Sequence, residues 1–204
     1  PWSVVIDPMT FDVESGEDTD VDVTVTNTYE PGSLTVLKTI ELNGTIGLTT
    51  PDFEITITGP SYPRGDTRVF NETNGMTQTW ENLIPGTYTV TEAGVEAPWS
   101  VDIDPENYEV TSDEDTMVDV TVTNTYEPGS LTVEKTVDTN DAIGLMVPDF
   151  EITITGPSYP SGDTKTFNED NGMTQTWNNL IPGTYTVSES GIAAPWSVVI
   201  DPET

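Results

Sequence analysis

Almost every stretch of this chain alternates apolar and polar residues with a period of two, and Thr, Val, Ile and Tyr dominate the alternation. In an extended strand successive side chains point to opposite faces, and β-branched and aromatic residues suit a pleated, half-buried surface. Across residues 31–127 the pattern predicts strands at 33–41, 53–59, 66–70, 76–82, 86–93, 99–104, 108–112 and 117–126. Pro and Gly punctuate the joints at Gly59-Pro60, Pro63-Arg64-Gly65, Pro85-Gly86, Pro98 and Asp104-Pro105, while Asn74-Gly75 suits a tight hairpin turn. No window carries a helical stripe. Strands at this spacing predict an all-β, Ig-like sandwich of seven or eight strands.

A second, longer period runs through the chain. Pro31-Gly32-Ser33-Leu34-Thr35-Val36 returns as Pro128-Gly129-Ser130-Leu131-Thr132-Val133, and Ile84-Pro85-Gly86-Thr87-Tyr88-Thr89-Val90 returns as residues 181–187, both offset by 97. The opening Pro1-Trp2-Ser3-Val4 matches Pro98-Trp99-Ser100-Val101 and Pro195-Trp196-Ser197-Val198. The 97-residue repeat predicts tandem modules: 1–30 as the last strands of a preceding module, 31–127 as a complete sandwich, and 128–204 as a module lacking its last strands. We read the chain as a window of a longer array. Joints as short as Glu30-Pro31-Gly32 and Glu127-Pro128-Gly129 would make such an array rod-like.

Composition narrows the function. With 36 Asp and Glu against five Lys and Arg, the formal charge is −31, which disfavours nucleic acid and anionic membrane as partners. It favours a solvated surface, suited to solubility or to a salty medium. There is no Cys and no His, so disulfides, thiol catalysis and zinc–thiolate sites are excluded together. No phosphate-binding glycine motif and no apolar run of membrane-spanning length is present. Turnover of an external substrate has little support, and no cofactor or metal is expected.

Against this acidic background, three polar groups fall on inward strand faces. Lys38 is in phase with Leu34, Val36 and Ile40; Glu92 with Tyr88 and Val90; Asn124 with Val118, Val120 and Val122. Lys38 is the only lysine of its module, and the sites recur as Lys135, Glu189 and Asn27. A buried cation is costly unless it is paired, neutralised or chemically consumed. The residues alone leave two outcomes open: a snorkelling Lys38 ion-paired with Glu92, or a covalent reaction.

The pattern resembles the Cna-B-type and SpaA-like prealbumin-fold repeats of bacterial surface adhesins and pilins. The segments carrying the resemblance are Gly32-Ser33-Leu34-Thr35-Val36-Leu37-Lys38, Leu83-Ile84-Pro85-Gly86-Thr87-Tyr88-Thr89-Val90-Thr91-Glu92 and Val120-Thr121-Val122-Thr123-Asn124-Thr125-Tyr126. The resemblance implies an intramolecular isopeptide bond between the first and last strands. Carried over, Lys38 is the nucleophile, Asn124 the acyl donor and Glu92 the catalytic acid. Lys135, Glu189 and Asn27 belong to sets completed by neighbouring modules or by another chain. Desolvation would leave Lys38 a neutral amine and Glu92 a protonated acid, as such a reaction needs. It would happen once per module, which is self-processing rather than turnover.

Other features are weaker. Asp18, Asp20 and Asp22 could hold calcium, yet Asp20 becomes Met117 in the next copy, and a solvated acidic turn is the simpler reading. Asn43-Gly44-Thr45 and Asn71-Glu72-Thr73 are glycosylation sequons whose counterparts at Asn140 and Asn168 lack the hydroxyl residue. Tyr62, repeated as Tyr159, sits on a Pro-stiffened loop able to face a partner. Trp80 and Trp99 are expected to fill the core. Together these features predict an extracellular, cell-surface structural protein, a stalk, fibre or pilus-like filament whose partners are neighbouring modules in a homopolymer or long array. An adhesin binding glycan or protein through its loops is the alternative. Strand exchange, with residues 1–30 completing a neighbour's open module, is a third reading. Residues 195–204 oppose it by copying residues 1–10 and so competing for one slot.

Overall fold

The computed structural model describes residues 2–13, 15–16, 23–112 and 117–201. Among these described residues fifteen strands follow one another: β1 (Trp2–Asp7), β2 (Thr24–Tyr29), β3 (Gly32–Glu41), β4 (Phe53–Thr58), β5 (Asp66–Phe70), β6 (Thr77–Leu83), β7 (Gly86–Ala93), β8 (Trp99–Asp104), β9 (Asn107–Val110), β10 (Val120–Tyr126), β11 (Gly129–Glu134), β12 (Phe150–Gly156), β13 (Tyr159–Phe167), β14 (Thr174–Leu180) and β15 (Thr186–Ser190). The strands predicted between 33 and 112 all form, with ends shifted by a residue or two. The predicted strand at 117–126 begins only at Val120, so Val118 precedes it and is 46% exposed rather than inward.

The described residues group into two units. The first comprises Pro1–Thr39, Asp52–Val95 and Val101–Asn124. It contains two four-stranded sheets, ordered β6-β3-β10-β8 and β5-β4-β7-β9. Leu34, Val36, Trp80, Val120 and Val122 from one sheet and Ile55, Ile57, Phe70, Tyr88 and Val90 from the other are wholly buried. Period-two alternation produces this directly, since each strand sends every second side chain into the space between the sheets. Trp80 fills that core and donates through its indole to Asp66 Oδ2 at 2.6 Å.

Most neighbouring strands are antiparallel, but β3 and β10 are not. Thr35 meets Asp119, Thr39 meets Thr123 and Glu41 meets Thr125, always 84 residues apart. A constant separation means that the two strands run parallel. First and last strands of the module therefore lie side by side in one sheet. Between β5 and β6 the turn is wider than the Asn74-Gly75 hairpin expected. Asn71 pairs with Gly75, and the Asn71 side-chain oxygen accepts from the Thr73 and Asn74 amides at 3.0 and 2.7 Å. Ahead of this fold in the chain, β1 and β2 form an antiparallel pair with Val4 opposite Asn27. Both of its faces are largely open, with Val4 59%, Ile6 43% and Val25 58% exposed.

The second unit comprises Ile40–Pro51, Glu96–Ser100 and Thr125–Thr204. It holds the pair β11–β14 and the sheet β13-β12-β15 around Phe150, Ile152, Ile154, Phe167, Trp177 and Leu180. Trp99 belongs here and corrects an expectation: it is half-buried at the margin, its ring edge-on to Tyr126 at 4.9 Å, rather than a core filler. Its counterpart Trp196 packs edge-on against Phe150 at 6.0 Å.

Candidate functional site

Alternation on β3 places Lys38 beside Leu34 and Val36 on the inward face, and its side chain is wholly buried. The parallel neighbour β10 brings Asn124 alongside, also wholly buried, and Lys38 Nζ donates to Asn124 Oδ1. Nζ further reaches the carbonyl oxygens of Thr39 at 3.0 Å and Val122 at 3.3 Å. From the facing sheet β7 contributes Glu92, whose side chain is wholly buried with Oε1 3.9 Å from Nζ. Lys38, Glu92 and Asn124, singled out from phase alone, thus meet at one point between the sheets.

The electrostatics follow from dryness. Burial pulls the Lys38 ammonium down from its usual 10.5 to about 8, with the Glu92 charge pulling the other way. Burial pushes the Glu92 carboxyl up, against the opposing influence of Lys38 and Asn124. Each group is shifted toward its neutral form. Glu92 and Asn124 Nδ2 influence each other, yet no hydrogen bond of full geometry reaches either Glu92 oxygen or Nδ2, an unusual cost for buried polar atoms.

Two further contributors escaped the sequence reading. Phe53, at the start of β4, lies beneath Lys38 with its ring centre 4.4 Å from Nζ. Such a ring attracts the cation and holds the side chain in place. Asp119 accepts from the Thr35 amide at 2.7 Å and donates its own amide to the Thr35 carbonyl at 3.0 Å, locking β10 against β3. Repetition of Phe53 as Phe150 was a visible signal, whereas Asp119 is one acid among 36 Asp and Glu.

The second set is incomplete in a revealing way. Lys135 Nζ lies 3.1 Å from both carboxylate oxygens of Glu189, over the Phe150 ring at 4.5 Å. The corresponding distance at Lys38, whose amine donates to Asn124, is 3.9 Å. Asn27, the third residue of this type, stands exposed on β2.

The remaining candidates have structural partners. Asn43 donates to the Tyr126 carbonyl at 3.0 Å, and Asn71 donates to Asp52 at 3.0 Å while closing its turn. Tyr62 is half-buried and its backbone exchanges hydrogen bonds with Gly59, while Tyr159 opens β13. Asp18, Asp20 and Asp22 lie outside the described residues. Among those described, no group of three or more acidic side chains is placed to hold a metal ion.

An all-β sandwich of facing sheets, its first and last strands parallel neighbours, is the class that this fold defines. Comparison places it further: residues 126–198 match the family described as "Prealbumin-like fold domain", and residues 34–127 match "Domain of unknown function (DUF5979)". Residues 126–198 thus match a prealbumin-like fold domain. Among solved structures, the chain is similar to the Bacillus anthracis TIE protein, with 21% identity, a TM-score of 0.47 and coverage of 82% of this chain but 29% of that one. A single B repeat unit of the collagen-binding surface protein of Staphylococcus aureus gives 21% identity, a TM-score of 0.33 and coverage of 84% and 92%. The major pilin of Streptococcus pyogenes gives 16%, 0.39, 79% and 83%. This chain therefore spans less than a third of the Bacillus protein's length. No curated protein matches it.

Proposed function

We propose that this chain is a segment of an extracellular, cell-surface structural protein, a stalk or pilus-like filament built of sandwich modules, with 31–127 stapled by its own Lys38–Asn124 isopeptide bond. The observation carrying this reading is the buried contact of the Lys38 amine with the Asn124 amide, faced by the buried Glu92 carboxyl 3.9 Å from that amine.

The chemistry balances without a co-reactant. Neutral Lys38 attacks Asn124 Cγ, and protonated Glu92 polarises the amide oxygen and then relays a proton to the leaving nitrogen. The Cγ–Nδ2 bond breaks, a Cγ–Nζ bond forms, and ammonia departs. Low dielectric favours this route because both reactants are held in their neutral forms. Once formed, the bond joins parallel neighbours at the two ends of the module, so tension along the chain runs through a covalent link rather than strand hydrogen bonds. One event per module makes it self-processing, and the partners are neighbouring modules.

Intact mass of the 204-residue chain tests the reading. The parent should weigh one ammonia less than its sequence, and Lys38→Met and Glu92→Gln variants should keep full mass. Full mass in the parent would leave Lys38 and Glu92 as a buried ion pair and remove the staple.

A further inference from the structure

We infer that the turn at 42–47, between β3 and β4, is a clasp that binds the succeeding repeat through the bulge of β14 and the loop ahead of β13, coupling the stability of one repeat to the next. The inference deepens the array reading above by naming the surface through which a repeat holds its neighbour. It does not depend on the Lys38–Asn124 bond.

All the residues concerned fall within the second unit. Segment 42–47 stands before Pro128, where the 97-residue sequence period restarts, and Ser158 and Asn179 stand after it.

The acceptor is made by strand register. β11 and β14 pair Gly129 with Leu180 and then Leu131 with Trp177, so Asn178 and Asn179 together oppose Ser130. A bulge of this kind leaves backbone groups outside the ladder. Asn179 is held there at a φ of 57°, and its carbonyl accepts from the Ile46 amide at 3.0 Å.

The donor is a tight turn. The Thr45 amide closes on the Leu42 carbonyl at 2.9 Å, with Asn43 and Gly44 both left-handed at φ 48° and 71°. Asn43 Nδ2 donates to the Tyr126 carbonyl at 3.0 Å, beside the joint Glu127-Pro128-Gly129. Gly47, at φ 77°, runs against the Ser158 backbone, where a Cβ would lie 3.2 Å from the Ser158 carbonyl oxygen. Ser158 is 5% exposed and anchors its own repeat: its amide donates to the Tyr185 hydroxyl at 3.1 Å, and its Oγ accepts from the Ile181 amide at 2.8 Å. The turn therefore bears on the point from which Tyr185 is held.

Both halves are properties of the repeat itself. Asn140 and Asp141 take φ 46° and 59°, the Ala142 amide donates to the Thr139 carbonyl at 3.0 Å, and Gly144 has φ 74°. The bulge returns between β3 and β6, where Asn82 has φ 57°. Left-handed backbone outside glycine is uncommon, so its return at matching positions marks a geometry written into the local sequence. Contacts of this nearest-neighbour kind are what make repeat arrays cooperative.

Hydrogen–deuterium exchange on the 204-residue chain tests the clasp, and the Ile46 amide should be protected in the parent. Gly47→Val should push the turn off Ser158 and speed exchange about tenfold at Ile46, the factor that loss of one hydrogen bond implies. It should also speed exchange across the contact, at the Ser158 and Ile181 amides. Gly144→Val imposes the same backbone strain where no atom lies within 4 Å, and should leave those two amides unchanged. Asn43→Gly keeps the left-handed turn, removes only the side-chain amide, and should give a smaller rise at Ile46. An Ile46 amide exchanging like free peptide in the parent would overturn the inference. So would Gly47→Val leaving Ser158 and Ile181 as protected as in the parent. Intact mass of the same samples reports the Lys38–Asn124 bond separately, so either reading can fail while the other stands.

Discussion

At the residue scale the deciding quantity is the cost of burying Lys38. An isolated ammonium in a dry interior would be untenable, and here the surroundings answer with a carboxyl, an amide oxygen and an aromatic face at once. The direction of each shift has a consequence for unreacted protein. In an Asn124→Ala variant the lysine stays free. Folded Lys38 deprotonates near 8 while the unfolded chain holds that proton to 10.5. Between those values the unfolded state binds more protons, so stability rises with pH. Glu92 acts in the opposite sense: above 4.5 the folded state keeps a proton that the unfolded state has released, so stability falls until folded Glu92 ionises. Urea titrations of the variant should show both limbs. The parent, with the proposed amide in place of its lysine, should keep the Glu92 limb but lack the alkaline rise. An alkaline limb equal in the two proteins would contradict the assignment.

At the element scale the site depends on how β4 and β7 are held. Tyr88 of β7 anchors the start of that strand, its hydroxyl accepting from the Ser61 amide and donating to the Ile84 carbonyl, both at 3.0 Å. The backbone of Gly59 passes directly over that ring, and a Cβ there would lie 2.5 Å from it. The same contact recurs between Gly156 and Tyr185 at 2.4 Å. Gly59→Ala must therefore displace the ring and break its hydrogen bonds. The expected cost is about 2–3 kcal/mol, read as a lowered urea midpoint. An unchanged midpoint would mean that the loop yields and the tyrosine is not an anchor. Because β7 carries both Tyr88 and Glu92, the variant should also slow ammonia loss.

For the whole molecule, the proposed staple would act through what it does to the unfolded chain. Lys38 and Asn124 are 86 residues apart, so a bond between them closes a long loop. By the chain-entropy treatment used for disulfides, such a link stabilises by roughly 4–5 kcal/mol. For a sandwich of this size that is a melting-temperature difference on the order of 20 °C between the parent and Glu92→Gln, measurable by calorimetry. A difference of a degree or two would show that the bond, if formed, adds little. A chain without cysteine would gain from the proposed bond the resilience that secreted domains commonly draw from disulfides.

How much of this was legible in the chain follows from the physics of strands. Alternation with period two is a local property, so strand positions and the inward phase of Lys38, Glu92 and Asn124 could be read from β3, β7 and β10 in isolation. Pro and Gly marked the joints for the same reason. Pairing is not local. That β3 and β10 run parallel as neighbours, that Glu92 arrives from the opposite sheet, and that Phe53 lies beneath the amine are contacts across tens of residues, which no window contains. The errors were of the same origin. Val118 kept the right phase but fell before its strand began, and Trp99 kept an apolar character that its marginal position did not use. The sequence by itself determined the strands, the repeat and the three polar positions, because backbone sterics and side-chain alternation act within a few residues. Only the tertiary structure decided that those positions share one buried point between the facing sheets. Burial and proximity are properties of the assembled sheets rather than of any strand within them.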